Sequence, residues 1–290
     1  MTSTASTPGA GRAPVLFLQS GVPGVTPYAG GPHLWGRALD LLRGRRALTL
    51  DLPGCGAADA GEQVPTVEAM AAHVVDAIGR QQLGRVHLVG HDVGALVALV
   101  VAMDHPQLLA SVGLVASWWA APSGDGVENF TLRHPPQPLW SAASQRWALE
   151  RLSYSHLQVD DELVAQCERA AQQPAHRSAI AAMAGDGYAR QFAGSATRAK
   201  FRFFQLARGE GLQVPVQVIA GMQDPLVGTA HMLSLFRIAG DKQPLAQFHI
   251  VNRAGSFPFR EQPEEFMRVV QAFVDGLETE QANLAAAAAA

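Results

Sequence analysis

The chain has 290 residues, 48% of them hydrophobic and 16% charged, enough apolar material for one large domain or for a core with an inserted segment. Its net charge of −3 offers no electrostatic footing to nucleic acid or to an anionic membrane, and no apolar run approaches the ~18–20 residues that span a bilayer. Cys55 and Cys167 lie far apart and read as free thiols in a reducing cytoplasm.

In chain order, residues 1–13 are rich in Ser, Thr, Gly and Ala and read as a flexible tail, not a signal peptide. Val15 to Leu18 predicts a short buried strand, followed by a Gly/Pro-rich loop from Gln19 to Pro32. Leu34, Trp35, Leu39, Leu41 and Leu42 give a helical pattern, and Ala47 to Leu50 a second strand. Thr66 is placed to cap a helix carrying Met70, Val74, Val75 and Ile78. A strand from Val86, a helix from Ala95 and a strand from Ser111 to Ala116 follow. Strands apolar on both faces, alternating with helices, predict a mostly parallel sheet flanked by helices. Between Trp118 and Gly211 the rhythm breaks into loops and helical stretches such as Asp161 to Ala171. It resumes with a strand at Val214–Ile219, a helix at Ala230–Ile238, a strand at Gln247–Val251 and a helix from Pro263 to about Leu277. The expected organisation is a core over 14–117 and 212–278, a helical lid over 118–211, and a disordered or expression-derived tail over 279–290 that ends in alanines.

Gly90-His91-Asp92-Val93-Gly94 joins the third strand to its helix as a sharp turn between two glycines, the form of a nucleophile elbow. Glycine allows close backbone approach, so the central side chain is held up in a strained, exposed position. Here it is a carboxylate.

Together with Asp51-Leu52-Pro53-Gly54, Gly221-Met222-Gln223-Asp224-Pro225 and Asn252-Arg253-Ala254-Gly255-Ser256-Phe257, this elbow resembles the α/β-hydrolase superfamily over residues 14–277. The loop Gly21–Val25 and the stretch Gln158–Leu163 look like meta-cleavage-product hydrolases, which cut carbon–carbon bonds with a serine. The elbow looks like epoxide hydrolases and haloalkane dehalogenases, whose aspartate forms an ester that a histidine-activated water hydrolyses. The resemblance gives Asp92 the nucleophile position and Asp224 that of the orienting acid. It puts the histidine position at residue 256, where this chain has Ser256, a side chain with nothing that titrates near neutrality. The first loop carries Gln19-Ser20 where these families have His-Gly. An oxyanion hole is expected from its amides and that of Val93.

Trp118 and Trp119 are candidate pocket walls, and Tyr154 and Tyr188 candidate hydroxyl donors in the lid. His134, His156 and His176 are candidate displaced bases; His91 and His249 read as structural, and Arg260–Glu261 as a local ion pair. Neither a phosphate-binding glycine pattern nor a metal-ligand spacing is present, so no cofactor is implied. The expected partner is a small-molecule substrate, without nucleic acid or membrane; a homo-oligomer stays open. Three readings stand. The first is an enzyme doing non-hydrolytic acid/base chemistry (lyase, isomerase or cyclase) on a small, mostly apolar oxygenated molecule, with Gln19, Ser20 and Ser256 bonding it. The second is a hydrolase with a displaced base or an introduced Ser256, and the third a non-catalytic binding protein.

Overall fold

The computed structural model describes residues 2–3, 12–56, 58–61, 63–122 and 131–289. Its strands are β1 (Thr2–Ser3), β2 (Val15–Leu18), β3 (Ala47–Thr49), β4 (Val86–His91), β5 (Leu109–Val115), β6 (Val216–Gly221) and β7 (Ala246–Val251), in the order β1-β3-β2-β4-β5-β6-β7. All neighbours pair in parallel except the two residues of β1, which run antiparallel to β3. The tail expected over 1–13 thus contributes an edge pairing, since β3 offers unpaired backbone groups on that side; residues 1 and 4–11 lie outside the described residues.

Chain order reverses between β2 and β4: β3 adds on one side of β2, and β4 to β7 add on the other. Open α/β sheets bind ligands at such a switch point, beyond the carboxyl ends of the strands. Helix α1 (Val67–Arg80) starts where expected, with Thr66 Oγ1 accepting from the Ala69 amide. Thr66→Ala should lower stability by about 1 kcal/mol, read from the urea midpoint; an unchanged midpoint would make the cap irrelevant. Helix α2 (Val93–Asp104) has ten of its twelve residues buried and no polar stripe. A helix apolar on all sides belongs inside, and it packs against β4, β5 and α1.

Pro32–Leu41 is 3₁₀ helix broken at Gly36, whose φ of 52° interrupts it. Between β5 and β6 the described residues hold no strand, only α3 (Ala142–Leu152), a 3₁₀ turn (His156–Gln158), α4 (Asp161–Ala171), α5 (Pro174–Met183), a π-helical turn (Gly187–Phe192) and α6 (Ala193–Gly209). After β6 come α7 (Thr229–Ala239), the short α8 (Pro258–Glu261) and α9 (Pro263–Ala289). Helix α9 runs past the expected end at Leu277 and takes in the terminal alanines, the best helix formers. The buried Arg45 guanidinium secures it, bonding both Glu278 oxygens (2.8 and 3.0 Å) and Asp275.

Candidate active site

Strand register places the site. Leu18 pairs with Gly90, so Ser20 and Asp92, each two residues further on, emerge side by side at the switch point. Asp92 has φ 48° and ψ −108°, a strained conformation for a residue with a side chain. It is imposed by the close passage of strand and helix. A Cβ on Gly90 would lie 2.2 Å from the Gly94 carbonyl oxygen, and one on Gly94 2.6 Å from that of Leu18.

Asp92 retains 4% of its surface. Ser20 Oγ donates to its Oδ2 at 2.9 Å and the Trp118 amide to its Oδ1 at 3.2 Å. Burial raises the carboxyl to about 6, against the lowering by Ser20 and the amides of Trp118, Val93 and Trp119. The Val93 amide, expected to line an oxyanion hole, lies close enough to the Asp92 carboxylate to help lower it. Ser117 Oγ donates to the Asp92 carbonyl at 2.7 Å, tying the turn after β5 to the elbow.

Asp224 follows β6, and Ser256 follows β7. Ser256 Oγ donates to Asp224 Oδ1 at 2.7 Å, and the Leu226 and Val227 amides donate to the same oxygen at 2.8 and 3.2 Å. Asp224 Oδ2 is buried with no partner among the described residues. Burial raises this carboxyl to about 7; the Asp92 charge adds to the rise, and Ser256 with the two amides opposes it. Two buried acids thus titrate near neutrality, and the charge of the first adds a small rise to the second.

The remaining expected residues divide. Gln19 turns away: its amide donates to Asp51 at 3.1 Å, so within the first loop only Ser20 reaches Asp92. Trp118 and Trp119 adjoin the carboxylate through their amides while their rings face His231 and Phe192. Tyr154 does not join the site; it is 51% exposed, and its amide, not its hydroxyl, is engaged, donating to Glu261. Tyr188 stacks on Phe192, which itself stands edge-on to Trp119, two rings away from the elbow. His134 and His156 are exposed, and the buried His176 packs on Trp140. None of the three bonds either carboxylate. His91 gives Nε2–H to the Ser256 carbonyl at 2.8 Å, and burial lowers its ring to about 3, so it is a neutral structural imidazole. His249 lies beside Glu265 on β7. Arg260 and Glu261 do not pair: Arg260 reaches Asp160, and the Glu261 carboxylate collects the amides of Tyr154, Ser155 and Gly255.

Two residues were missed. Tyr28 is buried; burial, and after it the charges of Asp92 and Asp224, push its phenol well above the ordinary range. Lys200 on α6 is half-buried; burial lowers its amine to about 8, and the Asp92 charge opposes the fall. A cavity of about 440 Å³ lies between Gly24–Pro27, Trp140 and the Ile180–Met183 face of α5. Asp92 does not line it.

The model of the alpha/beta hydrolase family matches residues 15–269. Over 272 residues, 92% of this chain and 90% of the relative, the sequence is 26% identical to 2-hydroxy-6-oxo-2,4-heptadienoate hydrolase of Pseudomonas putida. A shorter match, 30% identical over 40% of this chain and 42% of the relative, is to a protein named as carbamate hydrolase RutD in Agrobacterium fabrum. In fold, the meta-cleavage product hydrolase of Pseudomonas fluorescens IP01 superposes with a TM-score of 0.73 at 21% identity, covering 93% of this chain and 92% of that one.

Proposed function

We propose that this chain, which belongs to the alpha/beta hydrolase family, uses Asp92 to exchange protons with a small, mostly apolar oxygenated molecule, in a lyase, isomerase or cyclase reaction. The observation that carries this is the exchange at residue 256. Where an ester-hydrolysing site needs an imidazole, Ser256 hands its only proton to Asp224, and the nearby His91 is held neutral beneath the Ser256 carbonyl. What is left is a pair of buried acids. With midpoints of about 6 and 7, the pair loses one proton and keeps part of the other at neutral pH. Ionised Asp92 removes a proton from the substrate. Asp224, protonated on its unpartnered Oδ2, returns one.

On this reading residues 118–211 form the lid over a core of 14–117 and 212–278. The carbon-lined cavity between Gly24–Pro27 and α5 takes the apolar part of the substrate, and the Lys200 ammonium, within range of the Asp92 charge, offsets charge that gathers on a substrate oxygen.

The names of the long relatives favour one competing reading, hydrolysis, which in this chain would run through an Asp92 intermediate. Intact-protein mass spectrometry after incubation with styrene oxide or a primary alkyl bromide separates the two. Proton exchange predicts an unmodified chain. A stable adduct that disappears in Asp92→Asn would establish an aspartyl ester with a blocked second step.

A further inference from the structure

We infer that the cavity between the first loop and α5 holds a small phenol, with Trp140 as the wall against its ring and His176 as the acceptor for its hydroxyl. Helical spacing puts His176, Ile180 and Met183 on one face of α5, spread over about 10 Å of its axis. Ile180 and Met183 line the cavity. His176 continues the same wall one turn further. There the Trp140 ring, itself part of the lining, stands edge-on to the imidazole with centroids 4.9 Å apart and planes at 80°.

The imidazole is costly where it stands. It retains 1% of its surface, and neither ring nitrogen has a hydrogen-bond partner among the described residues. A buried polar group left alone costs about 1–3 kcal/mol, so an apolar side chain would fold better at this position. Burial lowers the ring to about 4 and keeps it neutral, with one N–H and one bare nitrogen. An indole face can satisfy an N–H, but it gives a bare nitrogen nothing. That nitrogen needs a donor. Among the described lining residues the only hydroxyl is that of Thr26, which already donates to the Tyr28 carbonyl at 2.9 Å. The O–H therefore comes from the ligand. The other walls suit a flat ring: Val25, Leu132 and Leu139 are apolar, and about 440 Å³ falls within the ~300–1,000 Å³ of small-molecule sites. Trp140 also carries strain. Its φ of 69° is a left-handed conformation rare for a bulky aromatic, and residues so held cluster at ligand clamps. A turn of this half-buried ring joins the imidazole to the cavity.

The inference rests on the proposed function, in which this cavity takes the apolar part of the substrate, and it gives that part a class: a hydroxylated aromatic ring. Its test is binding, not turnover. The full chain is titrated by ¹⁹F NMR with 4-fluorophenol and with 4-fluorotoluene, which replaces the hydroxyl by a methyl group of similar size. The phenol should bind about 3–10-fold more tightly. His176→Phe should remove that preference by weakening the phenol alone, and Ile180→Trp, which fills the cavity, should weaken both. Equal affinities in the wild type, binding of neither molecule, or equal losses in His176→Phe overturn the inference. A second measurement needs no substitution. In the chain labelled with ¹⁵N-histidine, one bare ring nitrogen should move upfield with 4-fluorophenol and stay in place with 4-fluorotoluene; a spectrum that the phenol leaves unchanged contradicts the acceptor role. Asp92→Asn should bind 4-fluorophenol as the wild type does, and a loss there would place the ring at the carboxylate instead of at His176. Turnover by Asp92→Asn judges the functional reading separately from these titrations.

Discussion

Replacing Asp92 with asparagine should abolish turnover and at the same time make the protein harder to unfold at alkaline pH. Loss of a positioned acid/base group lowers rates by ~10²–10⁴. Stability moves the other way because burial holds this carboxyl at about 6 against an ordinary 3.8. A group raised on folding favours the folded state most below its unfolded value, and that advantage drains away as pH climbs through its folded value. Above about pH 6 the wild type therefore carries a buried charge at a cost on the order of 3 kcal/mol, which the amide side chain does not have. Urea unfolding at pH 8 and at pH 4 tests the sign: the variant should lead clearly at pH 8 and by little or nothing at pH 4. An equal gap at both would mean that Asp92 is not the buried, raised acid described above. Removing its charge should also lower the Asp224 midpoint, which that charge now raises.

Gly90→Ala is expected to be strongly destabilising. The added methyl meets the Gly94 carbonyl oxygen at 2.2 Å and the Ala95 nitrogen at 2.5 Å. These are backbone atoms of the first turn of α2 and cannot rotate aside. Overpacking ordinarily costs about 1–3 kcal/mol; prising the central helix off β4 should reach or exceed the top of that range. Gly79 is the control. It sits in the exposed last turn of α1 with nothing within 4 Å of its virtual Cβ, so alanine there should stabilise by up to about 1 kcal/mol. Opposite signs in thermal melts are the expected outcome. A Gly90→Ala variant melting with the wild type would show that the elbow has room to spare.

The elbow was readable in the sequence because its determinants are local. An apolar run, two glycines and a second apolar run leave one chain path, and the same locality put α4 at Asp161–Ala171 and the α1 cap at Thr66. The landmarks after β6 and β7 brought Asp224 and Ser256 together as expected, within 2.7 Å. What escaped depends on packing between distant segments. Tyr28 lies in a Gly/Pro-rich loop with no periodicity to assign it a face, and Lys200 has the spacing of any surface lysine until α6 is seen lying on α2. Tyr154 erred the other way: chosen for its hydroxyl, it contributes an amide, a group that every residue but proline has.

That amide belongs to a fastening whose reach is wider than its size. Glu261 binds Tyr154 and Ser155 on one side and Gly255 on the other, and the Ser256 amide adds a bond to the Leu152 carbonyl at 2.8 Å. The segment that leaves α3 is thus stitched to the very loop that bears Ser256. None of these residues lines the cavity at the other side of the first loop, where the Met183 side chain packs directly on Gly24 and leaves no room there for a larger residue.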